Sequence, residues 1–240
     1  QRAWYNPILK VINPQLPFNS NKIIPTSDRL NIIKNFICNN PIILEAGAFI
    51  GDDTVKFNEK WPEATIFSFE PNPVTFLKLR NNTQHIKNSN IFNLALNTYN
   101  GTATFYSCLD EWEGSSSLLE SSPWMKNNYK GPKIIVPCVI LDDWCKDNNI
   151  NFIDFMWLDM EGAELYVLKS SPTILHNTKV IYSETNFKEY RKGMTRFNDL
   201  KNFLEKNDFC LIAHWWLNNV QGDAIFVKKS LLVSITNNNK

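Results

Sequence analysis

The chain has 240 residues, enough for one well-buried domain, and its 43% hydrophobic and 20% charged residues are typical of globular proteins rather than disordered ones. A formal net charge of +1 gives no global field that favours nucleic acid or an acidic membrane surface. No stretch approaches the roughly 18 uncharged apolar residues of a membrane span, and no basic-then-apolar leader opens the chain. We therefore expect a cytoplasmic protein with no nucleic-acid partner and no membrane span. Because the chain begins with Gln1, we also expect a processed chain or part of a larger polypeptide.

The cysteines are scattered, odd in number and without a C-x-x-C pair, which argues against a zinc site and a disulfide scaffold. We expect most of them to be small core residues in a reducing compartment. They are Cys38, Cys108, Cys138, Cys145 and Cys210.

Two hydrophobic periods alternate after residue 25. Residues Leu30, Ile33 and Ile37 recur at helical spacing, and further helices are predicted at 52–60, 73–85, 141–148, 161–171 and 197–207. Short apolar runs predict strands at 41–47, 64–70, 90–96, 133–140, 151–160, 179–185, 208–216 and 222–229. Apolar and polar residues alternate over 101–108, which predicts an antiparallel strand outside the main alternation. Residues 109–133 have the composition of a long loop, and loops of that length are usually functional or disordered.

This alternation of strand and helix predicts an α/β fold, a parallel sheet with helices on both faces. The closing strand pair predicts an antiparallel edge. We expect an N-terminal extension over 1–25, one domain over 26–230 and a polar tail over 231–240. In such folds ligands bind at the carboxyl ends of the strands.

Acids stand at the ends of four predicted strands. They are Glu45, Glu70, Asp159 and Glu184. Carboxylates are rarely buried without a partner, because their desolvation is costly. Four of them at equivalent positions predict a polar crevice along one edge of the sheet.

The stretch "LEAGAFIGDDT", residues 44–54, forms the first strand-to-helix turn. Gly47 lets a ligand approach the backbone, and Gly51 lets the following helix pack close to the strand. A phosphate site would keep negative charge away from this turn, yet Glu45, Asp52 and Asp53 crowd it. The turn therefore favours a cationic ligand over a diphosphate, and makes an NAD oxidoreductase a weak alternative.

Glu70 lies 25 residues after Glu45, at the end of the second strand. An acid at that point can accept both hydroxyls of a ribose. A nucleoside with a cationic group and no phosphate describes S-adenosylmethionine.

Several motifs in order resemble those of the FkbM-type family of class I S-adenosylmethionine-dependent methyltransferases. They are "LEAGAFIGDDT", "FSFEPNP", "NLALNTYNGTATFY", "VILDDW", "IDFMWLDMEGAELYVLKSS", "VIYSE" and "GDAIFVKK". The resemblance covers about residues 28 to 229, and the order and spacing of the motifs are more specific than any one of them. It implies a Rossmann-like fold with a mostly parallel seven-stranded sheet and an antiparallel edge strand, and S-adenosylhomocysteine as a product.

Carried over by position, the resemblance places the amino-acid half of the cofactor against Glu45, Ala46 and Gly47, with Phe49 and Thr54 also in the cofactor site. It assigns the ribose to Glu70, and the adenine to Pro71, Asn72, Asn93, Leu94 and Ala95. Asp159 would lie near the methionine amino group and the transferable methyl. The chain departs from the family pattern at Phe49, which is bulky, and at Trp157, where a lysine is usual.

An O-methyltransferase must align the acceptor hydroxyl with the methyl group and remove its proton. Asp159 with Glu184 is the expected catalytic pair, and His214 is a third candidate. A divalent metal held by Asp159, Glu184 and a further oxygen ligand is possible but not predicted. We assign Glu161 to the start of the following helix, where an acid suits the helix dipole, and Glu164 to a solvated or structural role.

The remaining unusual residues lie in and near the long loop. Trp112 and Trp124 stand among Ser and Gly, where they would either cover a sugar ring or pack as core or lid; Trp215 and Trp216 belong to the same aromatic group. The basic residues that follow the fifth strand are expected on a solvated face, with recognition of acceptor charge as the alternative. They are Arg191, Lys192 and Arg196.

We therefore expect an S-adenosylmethionine-dependent O-methyltransferase that acts on a hydroxyl of a sugar or glycan. One alternative is metal-assisted O-methylation of a non-sugar small molecule. Another is a cofactor-binding interaction domain with little turnover, which would have a cleft blocked by Phe49 and Trp157. The sequence leaves the oligomeric state open.

Overall fold

The computed structural model describes residues 4–5 and 24–232. The helices are α1 (Thr26–Ile33), α2 (Asp52–Lys60), α3 (Pro73–Thr83), α4 (Leu141–Asp147), α5 (Glu164–Ser170), α6 (Pro172–His176) and α7 (Phe197–Lys206). The strands are β1 (Trp4–Tyr5), β2 (Ile42–Ala46), β3 (Thr65–Phe69), β4 (Ser89–Phe92), β5 (Ala95–Leu96), β6 (Gly101–Tyr106), β7 (Lys133–Val139), β8 (Ile153–Leu158), β9 (Thr178–Asn186), β10 (Phe209–Trp216) and β11 (Gln221–Lys228).

The main sheet has the strand order β1-β10-β11-β9-β8-β2-β3-β4. Strands β9, β8, β2, β3 and β4 run parallel to one another. Strand β11 is antiparallel to both β9 and β10. The antiparallel strand was expected at the edge of the seven-stranded sheet, but it lies one strand in from that edge, because β10 pairs with its outer side. The mostly parallel seven-stranded sheet is confirmed, and β1 adds a short antiparallel pairing to β10.

The stretch expected as one strand over residues 90–96 is two strands in different sheets. Strand β4 pairs with β3, whereas β5 pairs with β7 in a second sheet that also contains the antiparallel β6. Between them, Nδ2 of Asn93 donates to the carbonyl oxygens of Glu70 and Pro71, both at 2.9 Å. These bonds hold the chain against the end of β3 and turn it out of the main sheet.

Helices cover both faces of the sheet, so β8 is buried along its whole length. On one face, Trp157 stacks on Tyr182 with ring centroids 3.6 Å apart and packs against Phe57 and Phe155. Trp157 is only 2% exposed. The position where a lysine is usual is therefore filled by a core aromatic residue.

Three cysteines, Cys108, Cys138 and Cys145, are buried as expected for small core residues, whereas Cys38 is exposed. Within the described residues, no helix has both the length and the apolar character needed to cross a bilayer. Most of the predicted N-terminal extension and C-terminal tail lies outside the described residues. The described parts are β1, residues 24–25 and residues 231–232, of which Ile24 and Leu232 pack into the core.

Candidate active site

A cavity of about 350 Å³ opens at the carboxyl ends of β2, β3 and β8. It has the size of a small-molecule site. Its walls come from the turns after these strands, from β5 and from the long loop after β6. The predicted cofactor residues that line it are Glu45, Ala46, Gly47, Phe49, Glu70, Pro71, Leu94, Ala95 and Asp159.

Gly47 brings the first turn against the end of β8. Its φ of +86° lies in the left-handed region, and a Cβ at this position would be 1.8 Å from the carbonyl oxygen of Asp159. The N–H groups of Gly47 and Ala48 both donate to the carbonyl of Phe69, at 3.1 and 3.0 Å. Only glycine fits here, and the group that excludes a Cβ is the Asp159 carbonyl; the approach of a ligand to this backbone stays a prediction.

Gly51 also has a left-handed φ, +91°, at the start of α2. A Cβ there would lie 2.8 Å from Leu79 Cδ1 and 2.9 Å from Thr83 Cγ2. The missing Cβ of Gly51 therefore allows close packing between α2 and α3. The prediction that it allows α2 to pack close to the strand was wrong.

The carboxyl group of Glu45 is positioned by hydrogen bonds from two buried hydroxyl groups. Glu45 is 1% exposed, and its Oε2 accepts hydrogen bonds from Thr54 Oγ1 at 2.5 Å and Ser68 Oγ at 2.6 Å. Burial raises the pKa of Glu45 to about 8, although both hydrogen bonds oppose that shift. Thr54, predicted to contact the cofactor, is instead fully buried and positions Glu45.

Glu70 accepts three hydrogen bonds from the protein. The Phe49 N–H donates to Oε2 at 2.9 Å, and the Asn72 N–H and Thr75 Oγ1 donate to Oε1 at 2.8 and 2.9 Å. Burial raises the pKa of Glu70 to about 7. A carboxylate has about four acceptor sites, so room remains for a ligand hydroxyl.

Two residues predicted beside the adenine shape the cavity without lining it. Asn72 caps α3, because its Oδ1 accepts from the Val74 N–H at 3.0 Å. Asn93 holds the carbonyls of Glu70 and Pro71 as described above. Both are placed as supports of the turn after β3.

Phe49 has a left-handed φ of 49°, which is uncommon for a residue with a large side chain. Its ring lies against Gly114 of the long loop, where a Cβ would be 3.9 Å from ring Cζ. Phe49 therefore joins the first turn to that loop along the cavity wall. Trp157 is in the core and takes no part in the blocked cleft expected of a binding domain, whereas Phe49 lines the cavity.

A cluster of three carboxyl groups adjoins the cavity at Asp159. One oxygen each of Asp159, Glu161 and Glu184 lies within 4.8 Å of the other two. Burial raises the pKa of all three carboxyl groups, and to about 7 at Glu161, where Arg191 opposes the shift. The sequence predicted the meeting of Asp159 and Glu184 but not the inclusion of Glu161.

The turn after β8 explains the position of Glu161. Its φ of 55° is left-handed, and Gly162 follows at +102°. Glu164 closes this turn, because its Oε1 accepts from the N–H groups of Met160 at 2.9 Å and Gly162 at 3.2 Å. Glu161 therefore precedes α5 by a full turn and directs its carboxyl into the cluster, so the helix-start role was wrong. Glu164 is structural, one of the two roles expected for it.

Glu184 lies in a buried polar network. Gln221 Nε2 donates to its Oε1 at 2.6 Å, and the Tyr190 hydroxyl lies 3.2 Å from Oε2. The same hydroxyl lies 2.7 Å from Asn186 Oδ1 and accepts from Gln221 at 2.8 Å. The sequence does not indicate Tyr190 or Gln221, since neither lies at the carboxyl end of a parallel strand, where ligands of such folds bind.

His214 lies away from the cluster. In the sheet register it is opposite Ala224, which is opposite Ser183, so His214 shares a face with Ser183 and not with the next residue, Glu184. Its ring stacks on Phe197 with centroids 3.8 Å apart, and burial lowers its pKa to about 4. The expected place of His214 at the acceptor site was therefore wrong.

Arg191 is fully buried, which corrects its expected place on a solvated face. Its guanidinium donates to the carbonyl of Leu119 at 2.7 Å and to the carbonyl of Ser115, and lies 4.6 Å from the centre of the Tyr129 ring. The neighbouring Lys192 is exposed and pairs with a loop acid. Arg191 therefore fixes the long loop over the acidic cluster.

The tryptophans divide between core and surface. Trp112 packs edge-on against Tyr129, and Trp215 donates to Asp223 Oδ2 at 3.0 Å within the core. Trp124 is 46% exposed, with Lys188 Nζ 3.8 Å from its ring centre. None of them lines the cavity.

The chain matches the model of the Methyltransferase FkbM domain over residues 45–211. The 2-O-methyltransferase NoeI of Sinorhizobium fredii is 29% identical over 197 residues, 78% of this chain and 79% of that protein. The crystal structure of Methyltransferase FkbM from Methylobacillus flagellatus has a TM-score of 0.50 at 15% identity, covering 78% of this chain and 44% of that one. A Streptococcus mutans protein in complex with SAH gives 0.50 at 11% identity, covering 86% and 99%. The structural likenesses establish the fold alone.

Proposed function

Given that this chain belongs to the FkbM methyltransferase family, we propose that it transfers a methyl group from S-adenosylmethionine to a hydroxyl of a sugar or glycan. The observation that carries this proposal is the likeness to NoeI, which extends over 78% of the chain and whose name records transfer to an oxygen. The chain spans less than half of the Methylobacillus protein, and that likeness carries no argument about the substrate.

The donor set of the cavity supports S-adenosylmethionine. Among the acids that line it, Glu45, Glu70 and Asp159 lie at or just past the ends of three neighbouring strands. This arrangement favours a ligand with an ammonium or sulfonium group and disfavours a diphosphate. The Streptococcus mutans protein, which shares the fold, holds SAH.

Each part of the cavity fits one part of such a cofactor. Glu70 would accept from the ribose hydroxyls, and Leu94 and Ala95 would contact the adenine. Asp159, next to Gly47, would attract the amino group and so place the methyl at the edge of the acidic cluster. The cofactor supplies an electrophilic methyl group; the protein holds it in line with the acceptor oxygen.

The acidic cluster gives the acceptor hydroxyl a place to lose its proton. Burial raises the pKa of all three carboxyl groups, and that of Glu161 to about 7, near neutral pH, where a general base is most effective. As the acceptor oxygen forms its bond to the methyl carbon and the carbon–sulfur bond breaks, the hydroxyl proton passes to a cluster carboxylate. A methyl ether and S-adenosylhomocysteine result.

The test is the rate of S-adenosylhomocysteine formation with a panel of hexose and deoxysugar acceptors, with non-sugar alcohols and phenols in parallel. We expect turnover with at least one sugar. Turnover with a non-sugar hydroxyl alone would replace the proposed acceptor class. Tight cofactor binding without turnover on any acceptor would instead favour a binding domain.

A further inference from the structure

The acidic cluster lacks a bonded counter-charge. Among the described residues, no nitrogen of Lys, Arg or His lies within 4.0 Å of the carboxylates of Asp159, Glu161 or Glu184. Arg191 acts on Glu161 from a distance but gives its hydrogen bonds to carbonyls of the long loop. The other buried arginine, Arg29, pairs with Asp223 at 3.1 Å. Three acids at this spacing therefore need either protons or a bound cation.

One oxygen of the cluster is also unpartnered. Glu161 is only 6% exposed, and its Oε2 has no hydrogen-bond partner among the described residues. Glu184 differs, because Gln221 donates to one of its oxygens and Tyr190 lies within reach of the other. A buried carboxylate oxygen without a donor costs free energy unless something binds it. Glu161 thus has a vacant acceptor oxygen, on a carboxylate that lies within 4.8 Å of those of Asp159 and Glu184.

We propose that Asp159, Glu161 and Glu184 bind one divalent cation of the Mg²⁺ or Mn²⁺ class. An all-oxygen carboxylate set is the ligand type that these hard cations prefer. Three carboxylates leave about half of an octahedral shell for waters or substrate oxygens. Because Asp159 belongs to both the cluster and the cofactor cavity, those positions lie beside the expected transferable methyl.

This inference rests on the proposed function and deepens it. Two neighbouring hydroxyls of a sugar can occupy adjacent positions on the cation, so the site would select acceptors with vicinal hydroxyls. The cation lowers the pKa of a bound hydroxyl, whose proton leaves to water or to a carboxylate oxygen not bound to the cation. The oxygen then forms the bond to the methyl carbon while the carbon–sulfur bond breaks.

The test is the binding of Mn²⁺ to the full chain after metal has been removed with a chelator. The electron paramagnetic resonance signal of the free ion measures how much Mn²⁺ is bound. We expect saturation at one Mn²⁺ per chain and competition by Mg²⁺. Glu161→Gln and Asp159→Asn should each weaken Mn²⁺ binding at least tenfold. Glu120→Gln is the matched control, since Glu120 is a half-exposed acid of the long loop that pairs with Lys192 outside the cluster; it should bind Mn²⁺ as the unaltered chain does.

Calorimetry with S-adenosylhomocysteine separates this inference from the proposed function. Cofactor binding and turnover that survive exhaustive chelation would overturn the metal site and leave the methyltransferase proposal standing. Mn²⁺ binding that is equally strong in all three variants would show an adventitious ion and overturn the site as well. Circular dichroism confirms that each variant is folded, and Asp159→Asn, on the cavity wall, keeps the test available if Glu161→Gln does not fold.

Discussion

The backbone N–H of Phe49 donates to Glu70 Oε2 at 2.9 Å, which joins the turn after β2 to the end of β3. Phe49 is held in a left-handed conformation at this point. Glu70 therefore supports the shape of the turn after β2 as well as lining the cavity. Removing its carboxylate would disturb both.

Glu70→Gln should weaken S-adenosylhomocysteine binding by about 1–3 kcal/mol, the usual cost of losing a charged hydrogen-bond partner. Glu70→Ala should weaken it further, because the Phe49, Asn72 and Thr75 donors all lose their acceptor. Titration calorimetry measures both, with the exposed Glu63→Gln as control. An affinity unchanged in Glu70→Gln would remove Glu70 from the cofactor site.

Gly47→Ala should lower the free energy of unfolding by on the order of 3 kcal/mol or more, because its Cβ would overlap the Asp159 carbonyl. Gly193→Ala is the matched control. Gly193 has a similar φ of +70°, but its Cβ would meet only the Tyr166 hydroxyl at 3.6 Å, so about 1 kcal/mol is expected from backbone strain alone. Chemical denaturation compares the two. Equal losses would show that strain, not close approach, sets the need for glycine at 47.

Arg191→Lys should loosen the long loop, because one ammonium cannot reach the carbonyls of both Leu119 and Ser115 in the geometry of a guanidinium. We expect faster limited proteolysis within residues 109–131 and a loss of about 2–4 kcal/mol in stability. Lys192→Gln is the neighbouring control, and the loss of its exposed pair with Glu120 should leave both the cleavage rate and the stability unchanged. Similar cleavage rates in both variants would contradict an anchoring role for Arg191.

Cofactor binding at pH 7 should release protons. Burial raises the pKa of Glu45 to about 8, so the ligand-free group is largely protonated, and a cation bound nearby favours its ionised form. Calorimetry in two buffers of different ionisation enthalpy counts the protons. Glu45→Gln should reduce the number, and release from Glu45 should vanish near pH 9. A proton count that Glu45→Gln leaves unchanged would assign the release to other groups.

His214 should contribute an acid-sensitive part of the stability. Its pKa is lowered to about 4 in the folded chain from about 6.5 when unfolded. The unfolded state therefore binds the proton first, and stability present above pH 6.5 falls as the pH drops towards 4, by up to about 3 kcal/mol from this group. His214→Phe should flatten that part of the pH profile, whereas the exposed His85→Gln should not. Parallel profiles for the unaltered chain and His214→Phe would rule this out.

The elements that the sequence predicted best are those with strong local signals. The strands around Glu45, Glu70 and Asp159 are apolar runs buried on both faces, and the sheet then brings their carboxyl ends together without further information. A glycine at 47 was also expected, but for the approach of a ligand; the group that leaves no room for a Cβ is the Asp159 carbonyl, a contact that the local sequence does not indicate.

The errors share a different cause. Residue type and neighbours in the chain do not predict the positions of His214 and Arg191. The position of His214 depends on strand register, and that of Arg191 depends on contacts across more than 70 residues of sequence. Glu161 lies two residues after Asp159, and its left-handed φ, which redirects the carboxyl, has no signature in a residue other than glycine. Tertiary context decided all three.

The long loop that Arg191 anchors is inserted between β6 and β7 of the small sheet, outside the strands that carry the cofactor turns. Exchange of residues 109–131 for another loop would leave Glu45, Glu70 and Asp159 in place at the strand ends, but would rebuild the part of the cavity wall that the loop supplies. Such an exchange would have to preserve two backbone carbonyls for the buried guanidinium or lose the arginine with them. A chimaera that carries a relative's loop together with its partner at position 191 is the natural route to a new acceptor range.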